Sequence, residues 1–278
     1  MKKRLLVSLL AIITGLCGAE AQVTPKQGCQ VALTLGNELG YALVRDQGVS
    51  PITFKGVAIA QDVGVTVALP KWVFDCHLEL FGGAYFKELP RTIAMPPVVG
   101  ASLTGHLGAQ RKVLDAPAWQ LFAGVAMADR AGINYFSQMM NASYAIDNII
   151  GPEIEAALMF RPLKTDETPS CWGFSCQLGA MPFGWVFRPG FAYIDNFAST
   201  PNYDYLFDTY SCTPTPFPYL ESRLGAQLFL KNRNSIRIDY HWTFATTHSN
   251  GAWRLEVARH LISLQLNFIL HSPQQSQP

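Results

Sequence analysis

The segment IRIDYHWTF, residues 236–244, alternates apolar and polar side chains at every position. Its apolar members are Ile236, Ile238, Tyr240, Trp242 and Phe244, and its polar members are Arg237, Asp239, His241 and Thr243. Successive side chains of a β-strand point to opposite faces of the sheet, so a period of two is typical of a strand between an apolar and a polar environment. The segment therefore predicts a strand with one apolar and one polar face.

The same alternation recurs through most of the chain. It is clear at residues 72–80, 220–230 and 263–270, whereas the three-to-four-residue spacing of amphipathic helices is nearly absent. After residue 21 no stretch is long and apolar enough for a transmembrane helix, which needs about 20 residues. We therefore predict an all-β protein of about ten strands. The strands are expected near residues 29–45, 52–69, 72–86, 97–111, 117–129, 150–162, 172–194, 217–231, 234–247 and 253–270.

Composition argues against three classes of protein: an ordinary soluble domain, a nucleic-acid-binding protein and a disordered chain. Of the 278 residues, 15% are charged and 49% are hydrophobic, whereas soluble domains carry roughly 25% charged residues. The net charge is +1 and basic residues never form a long run, so the clusters that bind nucleic acid are missing. Aromatic residues make up 12% of the chain, which argues against disorder. We expect no nucleic-acid partner and an outer surface that largely avoids water.

The N-terminus has the pattern of a secretory signal peptide. Basic residues at 2–4 precede an apolar segment at 5–16, and Ala19-Glu20-Ala21 matches the small-x-small cleavage pattern. We predict a signal peptide over residues 1–21. The remaining chain has five cysteines, of which Cys171 and Cys176 are close in sequence. We predict that these two form a disulfide in an oxidising compartment.

The predicted links between strands alternate in length. Those after the second, fourth, sixth and eighth strands are short or modest, at residues 70–71, 112–116, 163–171 and 232–233. Those after the third, fifth and seventh strands are longer, at residues 87–96, 130–149 and 195–216. Consecutive antiparallel strands therefore place short turns at one end of the sheet and long loops at the other. Residues 130–149 and 195–216 are the expected largest loops.

These features resemble Gram-negative outer-membrane β-barrel proteins, which have short periplasmic turns, long external loops and aromatic girdles. Trp72, Trp119, Tyr219 and Trp253 lie near predicted strand ends, where a girdle belongs. The final strand ends in Leu266-Asn267-Phe268, similar to the aromatic-ended terminal strand of that family. Alternation alone is equally typical of a secreted or periplasmic β-protein.

The resemblance covers residues 22–270 and implies an antiparallel up-and-down transmembrane β-barrel in the cell outer membrane. Outer-membrane lipid and lipopolysaccharide are then its expected partners. A polar tail at residues 271–278 follows the barrel, whereas members of the family usually stop at the aromatic residue.

Charged side chains on the polar faces must then point into the lumen, because each costs several kcal/mol in hydrocarbon. We predict that they pair across a narrow interior, since wide aqueous channels need roughly 16 strands. This predicted lumen cluster comprises Asp75, His77, Glu79, Glu155, Arg161, Glu221, Arg223, Arg237, Asp239 and His241. A polar pathway, a binding cavity and a salt-bridged filling are all compatible with this set.

Two local patterns resemble enzymes built on the same scaffold. His248-Ser249-Asn250 resembles the His-x-Ser-Asn motif of lipid A 3-O-deacylases without the middle residue, and Glu256 is available to orient His248. Adjacent side chains of a strand point apart, and Asn250-Gly251 is a strong signal for a two-residue hairpin turn, which we therefore favour. Asp239-x-His241 has the spacing seen in omptin proteases, but it lies close to the short turn at residues 232–233.

The sequence thus favours a non-enzymatic barrel with a surface-binding or small-pore role. A lipid A deacylase-like hydrolase with His248, Ser249 and Glu256 is the alternative. An extracellular ligand is expected at residues 130–149 and 195–216. We expect no cofactor, and the histidines and cysteines show no metal-ligand spacing.

Overall fold

The computed structural model describes residues 28–46, 50–87, 97–137, 142–164, 169–189, 192–193, 209–247 and 254–271. The strands in these ranges are β1 (Gln30–Asp46), β2 (Ser50–Ala68), β3 (Trp72–Phe86), β4 (Val98–Asp115), β5 (Trp119–Ser137), β6 (Ala142–Phe160), β7 (Trp172–Pro189), β8 (Ala192–Tyr193), β9 (Thr209–Phe229), β10 (Ser235–Thr246) and β11 (Leu255–His271). Within these ranges no helix is long and apolar enough to cross a membrane.

The ten long strands form one closed antiparallel barrel. Each pairs with the next long strand in sequence, and β1 also pairs with β11, so the sheet has no free long edge. The prediction of an all-β, up-and-down barrel of about ten strands is confirmed. We call the end with the links at 69–71, 116–118, 161–171 and 230–234 the turn end, and the opposite end the loop end.

Prolines interrupt the pairing between β6, β7 and β9 without dividing the barrel. Pro152 and Pro182 lie where the pairing register shifts, between Ile150 and Ile154 on β6 and between Met181 and Phe183 on β7. Proline has no amide hydrogen for the ladder and is therefore typical of bulges. β7 ends at Pro189, and the short β8 pairs with β6.

The prediction of a large loop over residues 130–149 is wrong. β5 continues to Ser137 and β6 begins at Ala142, and the two pair along their whole length. Apolar Phe136 and Ile149 on the inner face, and polar Asp129 and Asn148 on the outer face, disturb the alternation that identifies a strand. For the second loop, β9 begins at Thr209, so residues 209–216 belong to a strand. Residues 194–208 lie outside the described part of the chain.

The two faces of the barrel wall have opposite character. The outer face carries exposed apolar side chains on every long strand. Examples are Leu39, Val57, Ile59, Leu80, Leu107, Val125, Ile154, Leu178, Leu224, Ile238 and Ile262. In contrast, most charged side chains of the strands point inward and are buried, including Glu38, Asp62, Glu79, Arg130, Asp147, Glu153, Asp239 and Arg259. A soluble barrel has the reverse arrangement, so this wall suits a lipid environment.

Aromatic side chains mark the turn end of the outer face. Trp72, Trp119 and Trp172 open β3, β5 and β7 and are exposed, and each contacts a neighbouring phenylalanine ring. This arrangement agrees with the girdle predicted from Trp72 and Trp119. Tyr219 does not belong to it, because its side chain is buried in the lumen. Trp253 lies outside the described residues.

Glycines on the inner face make room for ionisable side chains of the adjacent strand. Gly225 pairs with Asp239, Gly108 with Asp75, Gly132 with Asp147 and Gly64 with His77. A Cβ atom at any of these glycines would lie closer to the opposite carboxylate or imidazole than real contacts allow. In the narrow lumen, these ionisable side chains therefore occupy the space that a side chain at the paired position would otherwise fill.

We predict that Gly225→Ala lowers the free energy of unfolding by roughly 1–3 kcal/mol, the usual cost of overpacking. The added methyl group would overlap the Asp239 carboxylate and the Ile238 carbonyl. Gly82→Ala is the matched control, because a Cβ at Gly82 has no heavy atom within 4 Å. Urea unfolding in micelles, followed by the migration shift between folded and boiled protein, measures both variants. Equal loss in both would contradict the crowding described here.

The predicted disulfide between Cys171 and Cys176 is wrong. Both cysteines are free; Cys176 lies within β7 and Cys171 immediately precedes that strand. Five residues of extended strand span roughly 16 Å, whereas bridged cysteines have Cα atoms within about 7 Å. The predicted signal peptide at residues 1–21 and nearly all of the polar tail lie outside the described residues. Of that tail, only His271 is described, as the last residue of β11.

Candidate functional site in the barrel lumen

Apolar side chains fill the lumen in the half next to the loop end. Phe54 and Phe136 meet edge to face there, with ring centroids 5.9 Å apart. They belong to an apolar cluster, called the plug, to which every long strand contributes. Its other members include Val44, Phe81, Tyr85, Val98, Ile149, Met181, Val186, Tyr219, Ala245, Leu255, Val257 and Leu261. The plug therefore spans the cross-section of the barrel.

Two buried ion pairs lie in the same half of the lumen. Arg130 pairs with Asp147 across the β5–β6 ladder, and Arg188 of β7 pairs with Asp46 of β1. Arg188 also donates to the Thr247 hydroxyl at 3.3 Å. The Arg188–Asp46 pair joins β7 and β1, which are not neighbours in the sheet, so it links the barrel across its interior.

A cavity of about 270 Å³ occupies the other half of the lumen. It extends from Glu79 and the plug residue Tyr219 to residues at the turn end such as Gln30 and Asn267. Arg233, an exposed residue of the β9–β10 turn, also lines it, so the cavity opens at the turn end. The lumen thus consists of an apolar plug in its loop-end half and a polar pocket in its turn-end half, and the plug closes the inner end of that pocket.

Arg223 lies at the centre of the largest ionic network along this cavity. Its Nε donates to Glu221 Oε1 at 2.8 Å, and its Nη1 lies 3.2 Å from Asp62 Oδ2 and 3.7 Å from Glu38 Oε1. His241 connects two of these acids, with Nδ1 2.8 Å from Glu38 and Nε2 3.3 Å from Glu221. One arginine and one histidine thus hold three carboxylates from three strands.

Arg259 forms the boundary between network and plug. Its Nη1 donates to Glu79 Oε1 at 2.8 Å and its Nη2 to Ser102 at 2.5 Å, while its guanidinium lies 3.7 Å from the centroid of the Phe81 ring. The side chain is only 2% exposed. Cation–π contact and ion pairing together offset the cost of burying this charge.

A third group of polar side chains surrounds His106 of β4. Its Nδ1 lies 2.9 Å from Asp75 Oδ2 of β3, and its Nε2 lies 2.6 Å from Glu155 Oε1 of β6. Gln110 donates to the second oxygen of Glu155 at 2.9 Å. Glu153 is 2% exposed, and its Oε2 is buried and has no hydrogen-bond partner among the described residues. We call His106, Asp75, Glu153 and Glu155 the His106 cluster.

The structure places most of the predicted lumen residues together on the inner face. Asp75, His77, Glu79, Glu155, Glu221, Arg223, Arg237, Asp239 and His241 all take part in the lumen ion pairs. Arg161 lies apart from them, just beyond β6 in the 161–171 link. There its Nε donates to the Ser170 carbonyl at 2.5 Å and its guanidinium lies over the Phe229 ring.

Sequence reasoning missed several members of these networks. Glu38 and Asp62 lie on the inward positions of β1 and β2. Strand parity, the rule that every second residue of a strand faces the same side, would have been enough to predict this. Glu153 lies two residues before Glu155 on β6 and therefore faces inward too. The same rule would have predicted its position from the sequence. The inward position of Arg259 could not be predicted in this way, because its inner-face neighbours Val257 and Leu261 are apolar members of the plug, whereas Glu256 and His260 on the outer face are polar.

Of the three residues of the deacylase alternative, the structure describes only Glu256. His248 and Ser249 lie outside the described residues. Glu256 is on the outer face of β11, where it pairs with Arg254 at 2.7 Å and with Arg45 at 3.8 Å. An unbroken ladder to a two-residue turn at Asn250-Gly251 would pair Thr246 with Leu255, but Thr246 pairs with Glu256. The predicted turn at Asn250-Gly251 itself lies outside the described residues.

No protein-family model and no curated protein matches this sequence. Among solved structures, the outer membrane protease OmpT from Escherichia coli is similar with a TM-score of 0.51 at 8% identity, over 90% of this chain and 100% of that one. The chain has the fold of a bacterial outer-membrane β-barrel. This fold supports a location in the outer membrane.

Two other outer-membrane structures are also similar. The translocator domain of the autotransporter NalP from Neisseria meningitidis gives a TM-score of 0.44 at 10% identity, over 96% of this chain and 95% of that one. Neisserial surface protein A gives 0.33 at 9% identity, over 87% and 100%.

The likeness to OmpT concerns the fold alone. Asp239 pairs with Arg237 at 2.6 Å, and His241 is fully enclosed between Glu38 and Glu221. Both side chains thus have structural partners deep in the lumen.

We predict that Arg259→Met lowers the free energy of unfolding by roughly 3–5 kcal/mol, because Glu79 would remain buried without its partner. Adding Glu79→Gln should restore most of the loss, since no uncompensated charge remains. Arg45→Met is the matched control, because its ion pair with Glu256 is 3.8 Å long and partly exposed, and such pairs contribute at most about 1 kcal/mol. Urea unfolding of the four proteins tests this. Equal effects of Arg259→Met and Arg45→Met would refute it.

Proposed function

We propose that this protein is a non-enzymatic outer-membrane barrel that does not conduct solutes and that acts by binding. The observation that carries the proposal is the plug. Side chains from every long strand meet across the loop-end half, whereas the turn-end half holds a polar cavity that opens only at the turn end. A passive channel needs a continuous wet path, and wide aqueous lumens are typical of barrels with roughly 16 or more strands.

The outer face supports lipid and lipopolysaccharide as the immediate partners. Exposed apolar side chains cover the middle of the barrel, and Arg45 and Arg254 lie on its outer surface near the loop end. Guanidinium groups bind phosphate groups well, and lipopolysaccharide presents such groups at the outer membrane surface. A further extracellular ligand at residues 130–149 and 195–216 stays a prediction, and the described parts of these two ranges are strand residues.

Planar-bilayer recording tests the absence of conduction. We expect the purified wild-type protein to give no steady openings at moderate voltage. The double variant Phe54→Ala/Phe136→Ala should give frequent openings, because it removes two rings that meet within the plug. Phe74→Ala, which removes a ring from the outer face, is the control and should remain silent. Steady wild-type openings that disappear when Arg223, Arg237 and Glu221 are changed would instead establish a small pore.

Mass spectrometry of lipid A tests the absence of hydrolysis. A serine hydrolase needs its base within hydrogen-bond distance of the nucleophile and a third group that orients the base. Glu256, the candidate for that third group, is already bound to two arginines on the outer face. We therefore expect identical lipid A in cells with and without the protein. Loss of one ester-linked acyl chain that requires both His248 and Ser249 would establish the hydrolase instead.

A further inference from the structure

The carboxylates of the lumen differ in their counterions. Arginine forms an ion pair with most of them. The pairs are Asp46–Arg188, Glu79–Arg259, Asp147–Arg130, Asp239–Arg237, and Glu38, Asp62 and Glu221 with Arg223. Asp75, Glu153 and Glu155 are the exceptions, since no arginine or lysine of the described residues pairs with them. All three belong to the His106 cluster.

This shortage of positive charge is concentrated in a small volume. One ligand atom each from His106, Glu153 and Glu155 can be chosen such that all three lie within 4.8 Å of one another. The basic side chains near these carboxylates are His106 and His77, whose Nε2 lies 4.0 Å from Asp75 Oδ2. Two imidazoles cannot compensate three ionised carboxylates. Buried charges are normally paired or bound to metal, so the cluster has the electrostatics of a cation site.

The orientation of His106 is also that of a metal ligand. Its Nδ1 faces the Asp75 carboxylate, which leaves Nε2 directed toward Glu155. Metal-binding histidines usually donate their other ring N–H to a carboxylate or carbonyl in this way, which fixes the tautomer and the ring. Glu153 adds a buried oxygen that has no hydrogen-bond partner in the described chain.

Small residues let these side chains converge although β5 separates β4 from β6. Ala126 of β5 pairs with Glu153, and Gly124 of β5 pairs with Glu155, so no large side chain lies between His106 and the two acids. On the other side of β6, Gly179 leaves space for the Glu153 carboxylate, which a Cβ atom would fill. The cavity reaches the cluster from the turn end, which gives a hydrated ion a route inward.

We propose that His106, Glu153 and Glu155 bind a divalent transition-metal ion of the Zn²⁺ type, with Asp75 as the residue that positions His106. One imidazole nitrogen and two carboxylate oxygens suit Zn²⁺ better than Mg²⁺ or Ca²⁺, which prefer oxygen ligands alone. Ligand atoms of tetrahedral zinc lie about 3.4 Å apart for bonds of about 2.1 Å, so only small side-chain shifts are needed. The proposal is independent of whether the barrel conducts.

Sequence spacing did not reveal this site because its residues come from three strands. Asp75 is on β3, His106 on β4 and both glutamates on β6, so no short motif contains them. The sequence could have predicted only that Glu153 and Glu155 lie on the same face of one strand.

Isothermal titration of the metal-free full-length barrel in micelles with ZnCl₂ tests the proposal. We expect one tight site per chain, which Glu153→Gln and His106→Gln each weaken at least 10-fold. Asp75→Asn should weaken it about 10–100-fold, the usual effect of removing a residue that orients a ligand. Asp129→Asn and His260→Gln, which alter an acid and a histidine on the outer face, are matched controls and should bind like wild type. The migration shift on boiling verifies that each variant is folded.

A thermal readout separates metal binding from a purely structural role of the cluster. Zn²⁺ should raise the unfolding temperature of the wild type and leave that of folded Glu153→Gln unchanged, while MgCl₂ raises neither. No zinc binding by the wild type would overturn the proposal and leave an imidazolium shared by Asp75 and Glu155. Zinc binding that is equally tight in wild type, Glu153→Gln and His106→Gln would place the metal elsewhere and would overturn it too.

Discussion

The limited width of a ten-stranded barrel is the constraint on which the rest of the structure depends. Inward side chains from all strands meet in one small space, and in a lipid-facing wall those side chains must include most of the charged groups. Two features allow the charged groups to fit into this space. Glycines such as Gly225 and Gly132 lie opposite Asp239 and Asp147, and arginines such as Arg223 and Arg259 bridge strands that are not neighbours. The glycines thus provide room for the carboxylates, and the arginines neutralise their charge.

The same constraint divides the lumen into two halves with different chemistry. Near the loop end, aromatic and aliphatic side chains close the barrel, and the ions that remain there, Arg130 and Arg188, are each paired with an aspartate. Near the turn end a polar cavity persists, and along it lies the only part of the described lumen where carboxylates lack arginine partners. A closed outer half and an open inner cavity are consistent with binding rather than passage of solutes.

Strand parity predicted most of the fold, because the pattern that identifies a membrane barrel repeats at every second residue. It succeeded where only one face is apolar, as around Ile238 and Asp239. It failed where the plug or polar groups disturb the alternation, so residues 130–149 resembled a loop and Arg259 was not assigned to the lumen. The His106 cluster was out of reach for another reason: its residues meet across an intervening strand, and only the register places them together.

Spin labels on the outer face of β2 test most directly whether the apolar wall meets lipid. Single cysteines at Val57, Ile59, Val63 and Val65, in a variant whose native cysteines are replaced by serine, point outward in the structure. In bilayers, these labels should collide far more often with dissolved oxygen than with a water-soluble nickel complex, with the largest ratio near the middle of the strand. Labels that all collide freely with the nickel complex would contradict a transmembrane barrel and indicate a soluble β-protein.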